Sequence, residues 1–252
     1  MVRIEPDLVA EGKRLVARAG ETGVPLRLLG GVAIRLRAPS ELPAPFTRRY
    51  ADLDFATAKG ASGKAQVFFR NEGYEPHKAF NALNGNERLL FFDTANDRQV
   101  DVFGGQFAMS HRNPLGSRLE LEPTTLPLAE LLLTKLQIAE LNEKDVRDAL
   151  AILHGHPVAE ADGDAINAAH VAGLCPADWG LWRTMTGNLT TCRDCVDRYE
   201  LPDADRERLR ARIGEILARI QDEPKSRGWK LRARIGERKR WYELPEEVAG
   251  GP

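Results

Sequence analysis

The stretch LLGGVAIRLRAPSELPAPFTRRYADLDF, residues 28–55, decides how this chain is interpreted. It begins with a short apolar segment and two glycines, and it ends on two aspartates, Asp52 and Asp54, that flank Leu53. In a β-strand successive side chains point to opposite faces, so the two aspartates would share one face. Two carboxylates at that spacing repel each other unless a cation lies between them. The pattern therefore indicates either a cation-binding strand or an exposed strand edge with two acids.

The glycine pair, Gly30 and Gly31, stands between the apolar segment PLRLLG and the amphipathic segment GVAIRLR. A strand, two glycines and a helix N-terminus let backbone N–H groups approach a phosphate, and the helix dipole favours its negative charge. An ordinary tight turn is the alternative. The chain has neither the Walker pattern nor GxGxxG, so nucleotide binding by those two routes is disfavoured.

A third acid, Asp101, occurs in the segment VDVF between two valines. The segments ERLLFFD, TANDRQ and VDVFGG together predict a β-hairpin. If the strand with Asp101 lies beside the strand with Asp52 and Asp54, three carboxylates meet on one sheet face. Carboxylates suit Mg²⁺, and three of them suit a two-cation phosphoryl-transfer site. The alternative is a hairpin residue that points to solvent.

The first half of the chain combines helix and strand patterns. Residues 4–20 and the segment GKAQVFFRNEGY have the apolar spacing of helices. The segment RYADLDFAT alternates as a strand, and SRLELEP is a further candidate strand. With the hairpin, these segments predict a mixed sheet with flanking helices.

After Pro127 the chain changes to a leucine-rich helical pattern. The segment PLAELLLTKLQIAELNEKDVRDALAIL predicts two helices broken near Asn142, and residues 161–222 keep a helical pattern. The segment from Pro224 is irregular, basic and tryptophan-bearing. The predicted fold class is α+β, and its parts in chain order are a mixed-sheet domain (1–125), a helical domain (126–223) and a basic aromatic tail (224–252).

The composition limits the class of protein. The chain has 252 residues, 42% of them hydrophobic, and a formal net charge of −1. Such a balance leaves only local patches to favour a charged partner. No apolar run approaches the roughly 20 residues of a membrane span, and the first residues lack a secretory pattern. With only three cysteines, the sequence predicts a reducing, cytoplasmic setting and no membrane partner.

The segments LGGVAIRL, RRYADLDF and VDVF, in this order, resemble the nucleotidyltransferase superfamily, the fold of DNA polymerase β-like enzymes. The nearer resemblance is to its AbiEii-like branch, which includes nucleotidyltransferase toxins of type IV toxin–antitoxin systems. That branch combines Gly-Gly-x-Ala, an Arg-x-Ser/Thr-x-Asp-Leu-Asp-Phe segment, and a Lys-Leu helix followed by Lys/Arg-Asp-x-x-Asp. The matching residues, within about 25–155, are Gly30, Gly31, Ala33, Arg48, Asp52, Asp54, Lys135, Asp145 and Asp148.

The resemblance implies a nucleotidyltransferase with two Mg²⁺ ions and a nucleoside triphosphate as co-substrate. Asp52, Asp54 and Asp101 are its implied metal ligands, and Lys135 joins them as an implied catalytic residue that neutralises the triphosphate. Tyr50 departs from the family pattern, which has serine or threonine at that place. The residues implied to contact the nucleotide, with Asp145 or Asp148 as the additional acid, are Gly30, Gly31, Arg48, Lys135, Asp145 and Asp148.

Two of these features also have structural interpretations. Lys135 would otherwise be a surface residue of an amphipathic helix. Asp145 and Asp148 would otherwise belong to a solvated helical face that pairs with Lys144. The pair in CRDC, Cys192 and Cys195, has metal-site spacing, but without a second such pair buried structural thiols are favoured.

The tail PKSRGWKLRARIGERKRWYEL interleaves basic and aromatic residues over 225–242, a pattern that suits nucleic acid. The alternative is a solvated extension whose tryptophans pack onto the helical half. The leading hypothesis is the transfer of a nucleoside monophosphate to an acceptor hydroxyl, with tRNA as acceptor in a toxin-like role and an antitoxin protein as partner. The alternatives are a small-molecule (antibiotic) nucleotidyltransferase, with an acidic acceptor pocket, and a non-catalytic nucleotide- or partner-binding protein, against which the three aspartates argue.

Overall fold

The structure, a computed structural model, describes residues 4–244; residues 1–3 and 245–252, at the ends of the predicted first domain and tail, lie outside the described residues. Within residues 4–244 the α-helices, in chain order, are α1 (Leu8–Glu21), α2 (Gly30–Arg37), α3 (Ser62–Asn71), α4 (Lys78–Asn84), α5 (Leu128–Leu136), α6 (Glu143–Gly155), α7 (Ala168–Gly173), α8 (Trp179–Cys195), α9 (Asp203–Asp222) and α10 (Arg227–Ile235). None of these helices of the described chain is long and apolar enough to cross a membrane.

The strands alternate with helices up to residue 93, and the strands after residue 104 have three residues or fewer. Over the same described residues they are β1 (Leu26–Leu29), β2 (Leu53–Thr57), β3 (Glu75–Pro76), β4 (Arg88–Asp93), β5 (Arg98–Gly104), β6 (Gln106–Ala108), β7 (Arg112–Pro114), β8 (Val158–Ala159) and β9 (Ile166–Asn167). A mixed sheet with flanking helices is thus followed by a helical half, and the predicted α+β class is confirmed. The domain boundaries stay a prediction.

The central sheet has the strand order β1-β2-β5-β4-β3. Its middle strands, β2 and β5, run parallel, whereas β1 with β2 and β4 with β5 are antiparallel. The predicted hairpin is therefore confirmed as β4 and β5. The predicted proximity of the Asp-Leu-Asp strand and the Val-Asp-Val strand is confirmed as well, because β2 and β5 are neighbours.

One face of the central sheet is apolar and is covered by α1 and α3. Phe69 of α3 stacks on Phe91 of β4 and lies against Phe55 of β2, with ring centroids 4.9 and 5.6 Å apart. All three rings are fully buried. Because strand side chains alternate, Asp54 and Asp101 lie on the opposite face, away from this core.

The helical half packs beside the start of α2. Helices α5 and α6 are separate, as predicted, and α6 is capped by Asn142, whose side chain accepts a hydrogen bond from the backbone N–H of Asp145 at 3.1 Å. Such an N-cap satisfies one of the free N–H groups of the first turn. Both α5 and α6 contact α2. This packing places residues from the second half of the chain next to the glycine pair.

The prediction of a strand at SRLELEP is wrong, because residues Gly116–Glu120 form a 3-10 helix. The free edge of β1 pairs instead with a later segment: the N–H of Leu28 donates to the C=O of Thr124, and the N–H of Leu126 donates to the C=O of Leu28, both at 2.9 Å. The edge of β1 is therefore occupied by residues that follow SRLELEP. The apolar residues of SRLELEP also do not share one environment, since Leu119 is buried while Leu121 is exposed.

The prediction of an irregular segment from Pro224 onward is also wrong, because it contains α10. Ser226 caps this helix by accepting a hydrogen bond from the N–H of Trp229 at 3.1 Å. Gly236 ends it with a φ of 59°, a conformation that glycine adopts at little cost. A serine before the helix and a glycine after it are the usual end signals, so the sequence did contain the information.

The cysteines agree with the structural interpretation. Cys192 and Cys195 are buried free thiols, as is Cys175. Burial raises the pKa of the Cys192 thiol to about 12, so it stays protonated at neutral pH. The prediction of buried structural thiols is confirmed.

Candidate active site on one face of the sheet

Two aspartates lie side by side at the centre of the sheet. The parallel register of β2 and β5 aligns Asp54 directly with Asp101. Asp101 is only 4% exposed, and Asp54 is partly buried. Two carboxylates held this close, largely out of water, create a strong local negative charge.

Asp54 also lies against the glycine pair. Its strand partner on the other side is Leu29, the residue before Gly30. A β-carbon placed on Gly30 would lie 2.0 Å from Oδ2 of Asp54, so only a glycine leaves room for the carboxylate. Gly30 has a φ of 66°, which strains any residue with a side chain. The glycine turn and the Asp54 carboxylate are therefore in direct contact, and the contact requires a glycine at position 30.

Asp101 has two side-chain partners that the sequence did not indicate. Nε of Arg88 donates to Oδ1 at 2.7 Å, and Nε2 of Gln99 donates to Oδ2 at 2.7 Å. The register explains both contacts: Arg88 lies opposite Phe103, two residues beyond Asp101 on β5, and Gln99 precedes Asp101 by two. Once the register of the hairpin is known, counting along it places Arg88 and Asp101 on one face.

Asp52 lies at the rim of the site. It precedes β2 and its side chain is exposed, in contrast to Asp54. Displacement of water by neighbouring protein atoms raises the pKa of the Asp52 carboxyl, and the negative charge of Asp101 raises it further. All three predicted metal ligands thus influence one another, but Asp54 and Asp101 form the inner pair.

The predicted lysine and the two helical acids form a network with Arg48. Nζ of Lys135 lies 3.1 Å from Oδ1 of Asp145 and 3.0 Å from Oδ2 of Asp148. Nε and Nη2 of Arg48 donate to the two oxygens of Asp148, each at 2.7 Å. The acids are 5% and 1% exposed, so the interpretation as a solvated helical face is wrong. They lie inside because α6 turns this face toward α2 and α5.

The charges of this network stabilise one another. Burial alone would raise the pKa of Asp148, but the hydrogen bonds from Arg48 and the charge of Lys135 outweigh it and lower that pKa. Burial alone would lower the pKa of Lys135, but Asp148 and Asp145 raise it. The lysine therefore stays a cation, and it has one N–H donor beyond the two that its acids accept.

Tyr50, the departure from the family pattern, supports Arg48. The guanidinium of Arg48 lies over the Tyr50 ring, 4.3 Å from its centroid, where the ring face attracts a cation. A β-carbon on Gly31 would lie 2.5 Å from Cδ1 of Tyr50, so the ring packs directly on the second glycine. A serine or threonine could not fill this space. Arg48, predicted to face a phosphate, is held by Asp148 and by this ring.

Asp54 is the member of the inner carboxylate pair that has no side-chain partner of its own among the described residues. Burial raises the pKa of Asp54, and the neighbouring Asp101 raises it further, to about 7. Lys135 opposes this increase. Within residues 4–244 no side chain donates a hydrogen bond to Asp54. A bound proton or a bound cation would neutralise this carboxylate at neutral pH.

The donor set fits a divalent cation of the Mg²⁺ type. Among the described residues, no group of three or more His, Cys, Asp or Glu side chains is placed to hold a metal ion, so Asp52, Asp54 and Asp101 do not form a three-ligand group. Mg²⁺ does not need one, since it commonly takes one or two carboxylates and completes its shell with water and substrate phosphate oxygens. Asp54 and Asp101 supply two such carboxylates, and the charge on Asp54 is what a cation would relieve.

A cleft of about 300 Å³ opens beyond Asp101. It is lined by the rings of Phe80 and Phe103, by Arg88 and Arg112, and by other residues that include Glu243. Phe103 follows Asp101 by two residues on β5 and so shares its face. Because β2 separates β1 from β5, this cleft lies on the side of Asp101 away from the glycine pair.

The basic aromatic segment 225–242 packs its tryptophans inward. Trp229 contacts Trp182, and Trp241 contacts Trp179, with ring centroids 5.1 and 5.8 Å apart. Both partners belong to α8, so the tryptophans do pack onto the helical half, as the structural alternative predicted. These two rings are not free to stack on bases.

The cations of the same segment fall into two groups. Nζ of Lys225 donates to the C=O of Glu223 at 2.8 Å, and Nη2 of Arg232 donates to the C=O of Lys239 at 2.6 Å, so these two side chains have structural contacts. The exposed cations that form no ion pair with the described residues are Arg227, Lys230, Arg234, Arg238, Lys239 and Arg240. They leave a positive surface at this end of the molecule.

The structure gathers most of the predicted residues in one place: Asp54 and Asp101 in the sheet, Gly30 at the start of α2, Lys135 with its two acids near Asp54, and Asp52 at the rim. No model of a known protein family matches the chain, and no curated protein matches it. The function of the protein is therefore inferred from this geometry and from the motifs in its sequence.

Proposed function

We propose that the protein is a metal-dependent nucleotidyltransferase, which moves a nucleoside monophosphate from a nucleoside triphosphate to an acceptor hydroxyl. One observation carries this proposal: Asp54 and Asp101 are aligned on neighbouring strands, and Asp54 lies against the Gly30 turn at the start of α2. Carboxylates suited to a cation beside a turn suited to phosphates are what this reaction requires.

The order of the strands would place the two substrates on opposite sides of Asp54 and Asp101. The triphosphate would lie at the glycine turn, where backbone N–H groups of the first turn of α2 are directed at it. The third N–H donor of Lys135 would bind a phosphate oxygen. The acceptor hydroxyl would approach from the cleft beside Asp101, on the opposite side. Its oxygen bonds to the α-phosphorus, its proton passes to solvent, and pyrophosphate leaves.

Asp54 and Asp101 would hold Mg²⁺, with Asp52 as an outer contact. When bound, Mg²⁺ supplies positive charge against the phosphate oxygens and makes the acceptor hydroxyl more acidic. The network of Arg48, Lys135 and the two helical acids would keep the lysine oriented toward the site. Such positioning and charge neutralisation account for most of the catalysis in phosphoryl-transfer enzymes.

Label transfer tests this proposal directly. The wild-type protein is incubated with each α-³²P nucleoside triphosphate in turn, Mg²⁺ and total RNA, beside an Asp52→Ala/Asp54→Ala variant. We expect label on an acceptor with the wild type and none with the variant. Absence of transfer to RNA, protein or small molecule with every nucleotide would refute the enzyme proposal. Transfer that persists in the variant would refute these carboxylates as the metal site.

For the acceptor we propose RNA, on the resemblance to nucleotidyltransferase toxins and on the positive surface near α10. An antitoxin partner is proposed on that resemblance alone. Exchanging Arg238, Lys239 and Arg240 for glutamate should weaken RNA binding about tenfold or more at 0.1 M salt, because each lost phosphate contact returns counterions to the RNA. The slope of log K against log salt should become shallower by roughly 2.

The matched control reverses three exposed cations on the opposite side of the sheet, Lys13, Lys64 and Arg70, which belong to α1 and α3. This variant has the same net charge as the first but leaves the surface near α10 intact. RNA binding measured by filter retention should stay near the wild-type value for the control. An equal loss in both variants would mean that net charge, rather than the surface near α10, governs binding.

A further inference from the structure

Arg88 occupies the same carboxylate that the proposed cation needs. Its Nε donates to Oδ1 of Asp101 at 2.7 Å, while Gln99 donates to Oδ2 at 2.7 Å. Both oxygens of this aspartate are therefore engaged by protein donors. The side chains of Arg88 and Asp101 are 19% and 5% exposed, so the pair is largely shielded from solvent. A shielded, charge-assisted contact of this kind is much stronger than one at the surface.

A cation and a guanidinium compete for Asp101 on simple electrostatic grounds. Both bind the anionic oxygens, and a cation shared with Asp54 would place a second positive charge next to that of Arg88. The charge of Arg88 also acts on Asp54 and helps to keep it ionised. Binding of a cation to the inner pair would therefore weaken the hold of Asp101 on Arg88.

The cleft leaves room for Arg88 to take a second position. Its guanidinium carbon lies 5.6 Å from the centroid of the Phe80 ring and 5.3 Å from that of Phe103, and both rings line the cleft beside Asp101. Contacts with aromatic faces stabilise a cation without fixing its hydrogen bonds. Because Arg88 itself lines this cleft, its guanidinium can turn from Asp101 into the cleft and keep contact with the ring faces.

We propose that Arg88 is a positioning residue that withholds Asp101 from the divalent cation until its guanidinium turns into the cleft. This inference depends on the proposed function, since it concerns the metal site of the same reaction. It makes the ion pair a competitor of the cation in the free protein. In the cleft, the same guanidinium would face an anionic group of the acceptor, which couples acceptor binding to completion of the metal site.

The test measures metal binding rather than activity. Mn²⁺, which accepts the same oxygen ligands as Mg²⁺, is titrated by calorimetry into the wild type and into Arg88→Met, without nucleotide. Methionine keeps an apolar side chain beside the two rings but removes the charge. We expect Mn²⁺ to bind Arg88→Met about tenfold more tightly than the wild type, because the variant lacks the charge-assisted hydrogen bond that competes with the cation for Asp101.

Four further variants separate the possible causes. Arg112→Met removes a cation from the same cleft that does not contact Asp101, and it should bind Mn²⁺ like the wild type. Arg88→Met/Asp101→Asn should bind no more tightly than Asp101→Asn alone, since the gain acts through this carboxylate. Asp54→Asn should bind Mn²⁺ far more weakly than the wild type. Thermal denaturation checks that each variant is folded.

The outcomes are distinguishable. Equal Mn²⁺ affinity of the wild type and Arg88→Met, with binding that still requires Asp54, would overturn the role of Arg88 and leave the proposed function standing. A gain that persists in the double variant, or an equal gain in Arg112→Met, would overturn it too, because general charge would then be the cause. Equal Mn²⁺ affinity of the wild type and Asp54→Asn would show that Asp54 is not a metal ligand, and it would overturn both proposals.

Discussion

Asp54→Asn should reduce nucleotide transfer by about a thousandfold or more and, at the same time, stabilise the metal-free protein above pH 7. The first effect follows because asparagine cannot supply the anionic oxygen of the inner pair. Loss of the charge stabilisation that a bound cation gives to the transition state costs several kcal/mol, and about 4 kcal/mol corresponds to a thousandfold in rate.

The second effect follows from the raised pKa of Asp54. Burial and then the charge of Asp101 raise this pKa to about 7, whereas an unfolded aspartate titrates near 4. Between these pH values the folded state binds the proton that the unfolded state has lost, so stability falls as the pH rises through this window. Asparagine suffers no such loss, and the variant should exceed the wild type by roughly 2–4 kcal/mol at pH 8 and by nothing below pH 4.

Chemical denaturation with EDTA at pH 5, 6, 7 and 8, beside label transfer with Mg²⁺, measures both effects. The control is Asp97→Asn, a change at an exposed residue with a φ of 49° in the turn between β4 and β5, a conformation that asparagine also tolerates. It should leave both quantities unchanged. A stability difference for Asp54→Asn that does not depend on pH would contradict the electrostatic origin. Transfer within tenfold of the wild type would exclude Asp54 from the site.

The shared face of Asp54 and Asp101 could be predicted from the sequence because the alternation of side chains along a strand is a local property. Asp54 and Leu53 had to face opposite sides of any strand, and the apolar face then had to be buried. The hairpin of β4 and β5 was equally accessible from its pattern. Only the parallel pairing of β2 with β5 was conditional, since no local signal specifies which distant strand will be the neighbour.

The side chains that surround this pair could not be predicted from the sequence, because their contacts join residues that are far apart along the chain. Arg48 and Asp148 are 100 residues apart, and their hydrogen bonds depend on how α6 packs on α2. Sequence spacing shows that Asp145 and Asp148 share a helix face, but not whether that face is buried. Tyr50 likewise gained its role from the position of Gly31, which no alternation or periodicity predicts.

Arg88 shows the same limit at short range. It is only 13 residues from Asp101, and the predicted hairpin brings them close. A register that is wrong by one residue would place them on opposite faces, so the contact needs the exact turn. The turn includes Asp97 in a conformation that few residues other than glycine adopt, and the sequence pattern leaves its length open.

Asp148→Ala should lower the free energy of unfolding by about 3–5 kcal/mol, the range for breaking a buried ion pair from one side. Asp148 is 1% exposed and accepts hydrogen bonds from Arg48 and Lys135 at 2.7 to 3.0 Å. Its removal leaves two cations largely out of water with one fewer partner each. Burial then lowers the pKa of Lys135 with less opposition, so transfer should fall as well.

A double-mutant cycle of Asp148→Ala and Arg48→Ala, measured by urea denaturation, tests whether this loss of stability comes from the ion pair between Arg48 and Asp148. The double variant should be clearly less destabilised than the sum of the single variants, because removing Asp148 costs little once Arg48 is absent. Glu87→Ala is the control, since it breaks an exposed pair with Arg112 at 3.4 Å and should change stability by about 0.5 kcal/mol or less. Additive single effects would mean that Asp148 acts through packing instead of charge. The predicted coupling would make this network the structural support that holds Lys135 beside the inner carboxylates, so that stability and transfer depend on the same buried charges.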